Sequence, residues 1–384
     1  MFGDYRENIS KIPEGIKRLS SEKNIYLYGN APYAKEMLDV LNKFQVKVKG
    51  VLVSEKYWEK GEFCHLTMYK AENFFAGLQE EIVLVAGFNI LVHSELTNSL
   101  LTQEHVKAIY VLNGCQMLWQ NGFRFPDSKI VLVDNYYEAL IKRDLNYSYF
   151  TENFPVFQQT YRWMTDDISK RTMDVYLRGH IELTGFPMKE LWEIDDVEKQ
   201  YFPEDIVHLT DREVFVDCGA YTGDTLECFL KKVKKFKRYY ALEPDQRRFG
   251  ELKSKLKENM IHIPVGAWDR ADVLNFSLEN ECGEITDQEH ENMIQVDRID
   301  NIFHHDEKIT FLKMDIEGAE LSALHGAKET IKRDKPVLAI CVYHKRKDLI
   351  TIPQYIKQLV PEYRLYLRAH FPYASELVLY AICE

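Results

Sequence analysis

The sequence predicts an α/β protein built on two mostly parallel sheets. Three observations carry that expectation: strand–helix alternation in the first third, a second and longer alternation from about residue 201 onward, and a closing pair of strands joined by only a short turn. Alternation makes successive strands parallel and covers the sheet on both faces. A short turn instead forces antiparallel pairing, because parallel strands need a long crossover. A chain of 384 residues is too long for one ordinary domain and suits two. The expected division is an α/β domain over 1–135, a helical connector over 136–200 and a second α/β domain over 201–384.

In the first domain "NIYLYG" (24–29) reads as a buried strand that stops at a glycine. "APYAKEMLDVLNKF" follows with Ala34, Met37, Leu38 and Leu41 at helical spacing. "VKVKGVLVS" (46–54), "EIVLVAGF" (81–88) and "VKAIYVL" (106–112) supply further strands. The connector is aromatic and helical, with Phe150, Phe154, Phe157, Tyr161 and Trp163 and then Met173, Tyr176 and Leu177 as core residues. Asp166 caps the segment that starts near Ile168. The second domain reads as "EVFVDCG" (213–219), "RYYALEP" (238–244), "MIHIPVGAW" (260–268), "ITFLKMDI" (309–316) and "KPVLAICVYH" (335–344), closed by "YRLYLRAH" (363–370) and "ELVLYAIC" (376–383).

Composition excludes several classes. Hydrophobic residues are 46% of the chain, ample for two packed cores. A net charge of −11 without a long basic stretch argues against a nucleic-acid partner, since phosphate contacts need clustered Lys and Arg. The one basic run, Lys231 to Arg238, reads as a solvated helix end. The 7 cysteines include no C-x-x-C pair, so neither a metal framework nor a disulfide scaffold is indicated. The N-terminus lacks an apolar signal region, and no apolar run reaches about 18 residues. A soluble, cytoplasmic protein without membrane insertion is the expectation.

The chemistry concentrates at strand ends of the second domain. "VFVDCGAYTGDT" closes a strand with Asp217 and Gly219, continues through Tyr221 and Gly223, and opens a helix at Asp224 and Thr225. Glycines there let the backbone approach a ligand, and the helix N-terminus offers free N–H groups to an anion. The G-x-x-x-G spacing is not a dinucleotide fingerprint. Glu243, beside Pro244, lies 24 residues beyond Gly219, where a carboxylate accepts both ribose hydroxyls of an adenosine-type ligand. Gly266 and Ala267 leave room for a flat base, Trp268 is placed to cover one face of it, and Asp269 or a neighbour to accept from its amino group. Asp315, Glu317 and Glu320 crowd around Gly318, where the chain turns into a helix that Glu320 also suits structurally. His344 ends the fifth strand at the same sheet edge, as a candidate general base ahead of Asp315. Convergence of Asp315, Glu317 and His344 would instead suit a divalent cation, although their separation in sequence is a weak metal signature.

These strings resemble the FkbM family of methyltransferases: "YFPEDIVHL", "VFVDCGAYTGDT", "YYALEPD", "LKMDIEGAE" and "VYHKRKDL", with the closing "YLRAH…ELVLYA". The resemblance covers about residues 165–384, "KMDIEGAE" being its most specific part. It implies a Rossmann-like methyltransferase domain with S-adenosylmethionine as cofactor, and methyl transfer to a hydroxyl of a saccharide, glycolipid or polyketide-type acceptor. Asp217, Gly219, Tyr221, Gly223, Asp224 and Thr225 would form the cofactor loop, Glu243 would hold the ribose, and Asp315 with Glu317 would face the transfer site. The first domain resembles the Rossmann-like nucleotide-binding type, but "GNAPYA" keeps only Gly29 and its second strand ends in Ser54 rather than an acid. A substrate-docking or homo-oligomerisation role suits it as well as a cofactor role. Two rival readings are a nucleotide- or sugar-nucleotide enzyme acting through that domain, and a non-catalytic module that keeps the fold.

Overall fold

The computed structural model describes residues 14–29, 32–58, 60–87, 99–112, 129–133, 149–150, 152–182, 199–277, 283–286, 292–303, 307–370 and 376–383. The chain divides into two compact units, one of residues 1–153 with 175–187 and the other of 154–174 with 188–384.

The described residues of the first unit form seven strands: β1 (Ile25–Tyr28), β2 (Val48–Val53), β3 (Glu62–Phe63), β4 (Leu66–Lys70), β5 (Ile82–Gly87), β6 (Val106–Leu112) and β7 (Ile130–Val133). Their order is β3-β4-β2-β1-β5-β6-β7, parallel throughout except for the β3–β4 hairpin. Alternate residues of one strand serve opposite cores: Val83 and Val85 pack with Leu27, Met37 and Leu41, while Ile82, Leu84 and Ala86 pack with Leu52 and Ile109. A run buried on both faces is what a parallel sheet requires. β3, β4 and β7 escape the sequence reading; β4 alternates half-buried and exposed residues at one side of the sheet, so it shows no apolar run. Phe88 and part of the "GNAPYA" loop lie outside the described residues.

The second unit continues with β8 (Val214–Cys218), β9 (Arg238–Leu242), β10 (Met260–Ile263), β11 (Gly266–Ala267), β12 (Asp272–Ser277), β13 (Glu284–Ile285), β14 (Met293–Asp297), β15 (Phe311–Met314), β16 (Val337–Cys341), β17 (Arg364–Ala369) and β18 (Leu377–Ile382). Seven of them form one sheet in the order β10-β9-β8-β15-β16-β18-β17. All its neighbours pair in parallel except β18, which is antiparallel to both β16 and β17. This is the expected Rossmann-like, mostly parallel sheet with its closing antiparallel hairpin. Phe215, Phe229, Tyr239 and Phe311, together with Phe202, fill one face; the Phe215 ring lies 4.8 Å from Phe311 and 5.2 Å from Phe229, centroid to centroid.

Two details depart from expectation. The segment 260–268 is not one strand: β10 stays in the main sheet, whereas β11 pairs with β14 in a separate four-stranded sheet ordered β11-β14-β12-β13. Pro264 stands between them and has no N–H for the ladder, so the strand breaks there. Within the expected connector, the described residues form helices Phe154–Trp163 and Asp167–Glu182. Asp166 caps the second, accepting from Ser169 N at 2.8 Å. It also pairs with the fully buried Arg368 of β17 (Nη2–Oδ2, 2.6 Å), which Asp205 meets from the other side. A buried guanidinium needs carboxylates on its donors, and it receives two.

Candidate active site

The tips of β8, β9, β11 and β15 surround a cavity of about 250 Å³. Gly219 and Tyr221 close it from the loop after β8, and Asp224 from the start of the helix Asp224–Lys232. Gly219 has φ +80°, and a Cβ there would collide with the carbonyl oxygen of Asp315, so only glycine fits between these two strand ends. Tyr221 and Glu317, which both line the cavity, hold the left-handed conformation that side chains avoid, at φ 47° and 53°. Such conformations persist where the surroundings over-determine them, and they cluster at ligand sites.

Glu243 lines the cavity and is 7% exposed. Its Oε2 accepts from Tyr221 N at 2.9 Å and its Oε1 from Asp245 N at 2.8 Å. Burial raises its pKa, against the pull of those two amides. Each oxygen retains acceptor capacity toward a ligand hydroxyl, and the carboxylate also fixes the loop that carries Tyr221.

Pro244, Gly266 and Ala267 line the cavity as expected, but its apolar wall comes from Phe276, Ile285 and Ile294 of the small sheet. Those residues escape the sequence reading because β12, β13 and β14 were not recognised as strands. Trp268 does not line this cavity. It borders a neighbouring one of about 390 Å³, which shares Ile285, Glu317 and Ala319 with the first. β11 leaves the main sheet, and successive side chains of a strand point to opposite faces, so Ala267 and Trp268 are divided between the two spaces. Asp269 is engaged by Arg270 at 3.2 Å and borders neither.

Beneath the loop lies a buried ion pair. Lys313 Nζ, 2% exposed at its side chain, is 3.0 Å from Asp217 Oδ1 and donates to Gly219 O at 2.8 Å. Tyr239 Oη donates to the other oxygen of Asp217. Burial pushes the Asp217 carboxyl up, against the pull of Lys313 and Tyr239; burial would lower the Lys313 pKa, but Asp217 and Asp315 hold it raised. Asp217 and Thr225 are buried behind the cavity, and Gly223, which caps the following helix in the left-handed conformation, does not border it. Lys313, which does line the cavity, was missed. Its signal was legible as the one charge inside the apolar run "ITFLKM".

Asp315 also lines the cavity. Its Oδ2 accepts from Tyr201 Oη at 2.6 Å. Burial would raise its pKa, but Lys313, His344 and Tyr201 together lower it, so the carboxylate stays ionised. His344 lies just outside this cavity, its Nε2 3.4 Å from Asp315 Oδ1 and 3.6 Å from Glu317 Oε2, its Nδ1 2.9 Å from Glu320 Oε1. Desolvation opposes its charge, but Glu320, Asp315 and Glu317 outweigh it and push the pKa up to about 9. That direction favours the protonated ring near neutral pH, whereas a general base has to start neutral. Glu376, at the start of β18, also escaped notice; burial and Asp315 push it up to about 7.

The arrangement fits an adenosine-bearing sulfonium donor on its own chemistry. A bare-backbone cradle at Gly219 and Gly266, a ribose-type carboxylate at Glu243, an apolar slot at Phe276 and Ile294, and an ionised carboxylate at Asp315 share one cavity. Among the described residues, Asp315, Glu320 and His344 bring potential metal-ligand atoms within 4.8 Å of one another. No helix among the described residues is long and apolar enough to cross a membrane.

Residues 217–370 match the model of the methyltransferase FkbM domain. The crystal structure of methyltransferase FkbM from Methylobacillus flagellatus KT is similar to this chain, with 22% sequence identity, a TM-score of 0.61, and coverage of 96% of this chain and 92% of that one. A likeness at that identity speaks for the fold. No curated protein matches the chain.

Proposed function

The chain carries a methyltransferase FkbM domain over residues 217–370, and on that premise we propose that it is an S-adenosylmethionine-dependent methyltransferase acting on a hydroxyl oxygen. The observation that carries this reading is one cavity lined both by Glu243, which accepts from the backbone of the Tyr221 loop, and by Asp315, whose pKa is lowered by Lys313. The Gly219 loop and Glu243 would hold the methionyl and ribose parts, and Gly266, Ala267, Phe276 and Ile294 the base. When bound, the donor supplies a methyl group on a positively charged sulfur, already activated for transfer to an oxygen nucleophile.

The protein then has to align the acceptor, exclude water and take up the hydroxyl proton. Asp315 is the suited acceptor of that proton, because it lines the cavity and stays ionised. Tyr201 Oη and Lys313 hold it in place and in that charge state. A saccharide, glycolipid or polyketide-type acceptor in the cytoplasm, with the first unit docking substrate or a second copy, completes the reading. The test is calorimetry of the full chain with S-adenosylhomocysteine, followed by mass spectrometry of saccharide and lipid acceptor mixtures for a gain of one methyl. Binding of the nucleoside by wild type and its loss in Glu243→Ala supports the reading; equal behaviour of the two proteins overturns it.

A further inference from the structure

Three buried atoms beside the cavity lack partners. Neither ring nitrogen of His344 nor the Oε2 of Glu320 makes a hydrogen bond among the described residues, although all three are shielded from water. The His344 side chain is 8% exposed and Glu320 is fully buried. Buried polar atoms in a native fold are almost always satisfied, so three orphans in one place point to an occupant that binds them. The surroundings ask for positive charge. Asp315, Glu317 and Glu320 all approach the His344 ring, and the nearest ammonium groups are engaged elsewhere: Lys345 Nζ donates to Gly318 O, and Lys313 Nζ is 3.0 Å from Asp217 Oδ1. Buried carboxylates in such a cluster are paired or coordinate a metal.

The geometry matches a coordination shell. One atom each of Asp315, Glu320 and His344 lies within 4.8 Å of the other two. His344 Nε2 is 3.4 Å from Asp315 Oδ1, and Nδ1 is 2.9 Å from Glu320 Oε1. Ligands about 2.1 Å from one ion, at tetrahedral or octahedral angles, stand roughly 3–3.5 Å apart. The fold holds each carboxylate by its other oxygen: Tyr201 Oη donates to Asp315 Oδ2 at 2.6 Å, and Ile316 N to Glu320 Oε1 at 2.9 Å. Asp315 Oδ1, met only by Tyr343 Oη at 3.4 Å, and Glu320 Oε2 are left to bind. We propose that Asp315, Glu320 and His344 form a site for one divalent transition-metal ion. Glu320, not Glu317, completes the set. One imidazole between two carboxylates suits manganese or zinc better than calcium, whose shell is built of oxygens. The ring gives one nitrogen to the ion, and the other still faces a carboxylate, the arrangement that orients metal-bound histidines. Of the three ligands only Asp315 lines the cavity, which puts the site at its edge. Resting on the reading of that cavity as the donor site, an acceptor hydroxyl held at an open position of the ion would be more acidic, so loosening its proton would not fall to Asp315 alone.

Manganese titration of the chelator-treated full chain, followed by electron paramagnetic resonance, tests this. The free-ion signal should be suppressed until about one ion per chain is bound, and zinc should displace the manganese. Electron spin-echo modulation of the bound ion should show the nitrogen coupling of a directly ligated imidazole, a readout that needs no variant. In Glu320→Gln, which keeps an oxygen for the Ile316 amide, and in His344→Ala, both checked for folding by circular dichroism, affinity should fall at least about tenfold. Retention of neither manganese nor zinc by wild type overturns the proposal. So does bound manganese without nitrogen coupling, and so does unchanged affinity in a folded Glu320→Gln. Calorimetry with S-adenosylhomocysteine is read separately: if wild type fails to bind it, with or without the ion, the donor reading falls and the metal site stands, so the two failures are distinguishable.

Discussion

Replacing Lys313 by Met removes one half of a buried ion pair while keeping most of the side chain's length. Asp217 then loses the ammonium 3.0 Å from its Oδ1 at a site with no water contact, and Gly219 O loses a donor. Breaking a buried pair from one side costs about 3–5 kcal/mol, because a charge is left uncompensated. For a unit of this size that corresponds to a fall in thermal midpoint of about 6–20 °C. The double variant Lys313→Met with Asp217→Asn removes both charges and leaves an oxygen for Tyr239 Oη. It should recover most of the loss, giving a coupling of about 2 kcal/mol or more in a double-mutant cycle. Differential scanning calorimetry of the four proteins at pH 7 provides the assay. A Lys313→Met midpoint within about 2 °C of wild type, or two losses that simply add, would refute the view that this pair holds the loop to β15.

Other variants probe the site piece by piece. Glu243→Gln presents an amide group to one of the two backbone N–H donors it now satisfies; it should lose about 1–3 kcal/mol of stability and weaken S-adenosylhomocysteine binding about tenfold, read by denaturation and calorimetry. Gly219→Ala should fail more severely, losing upward of about 2 kcal/mol, because its methyl meets the Asp315 carbonyl at φ +80°; Gly250→Ala, whose methyl meets nothing within 4 Å inside a helix, should be neutral or stabilising by up to about 1 kcal/mol. His344 gives a pH signature. Its folded pKa, pushed up to about 9, lies above the ordinary value of 6.5, so its contribution is fully present below about pH 6.5 and is lost as pH rises through 9. Unfolding free energies from denaturant titrations between pH 6 and 10 should decline in wild type by an amount on the order of 3 kcal/mol and decline less in His344→Gln.

The strand tips were legible because each joins an apolar run to a polar or glycine stop. Asp217, Glu243 and Asp315 stand at the ends of β8, β9 and β15, and the closing hairpin announced itself through its short turn. What stayed hidden depends on contacts distant in sequence. Phe276 and Ile294 reach the cavity from a small sheet whose strands are short and partly polar, and no local pattern marks them as ligand-facing. Trp268 follows Ala267, yet strand alternation sends the two into different cavities, a division invisible without the break at Pro264. His344 illustrates the same limit electrostatically: its placement at the sheet edge followed from the strand, but its charge state depends on three carboxylates 24 to 29 positions earlier. A lone histidine in a sequence carries no record of its neighbours' charges.

The account rests on an adenosine-bearing donor occupying the cavity at the ends of β8, β9, β11 and β15. A crystal of the full chain grown with S-adenosylhomocysteine measures this directly. The prediction is density for the ribose within hydrogen-bond reach of Glu243 and for the sulfur at the Asp315 end. Density for the nucleoside in the first unit near Gly29, or none at the Glu243 cavity at saturating ligand, would contradict it.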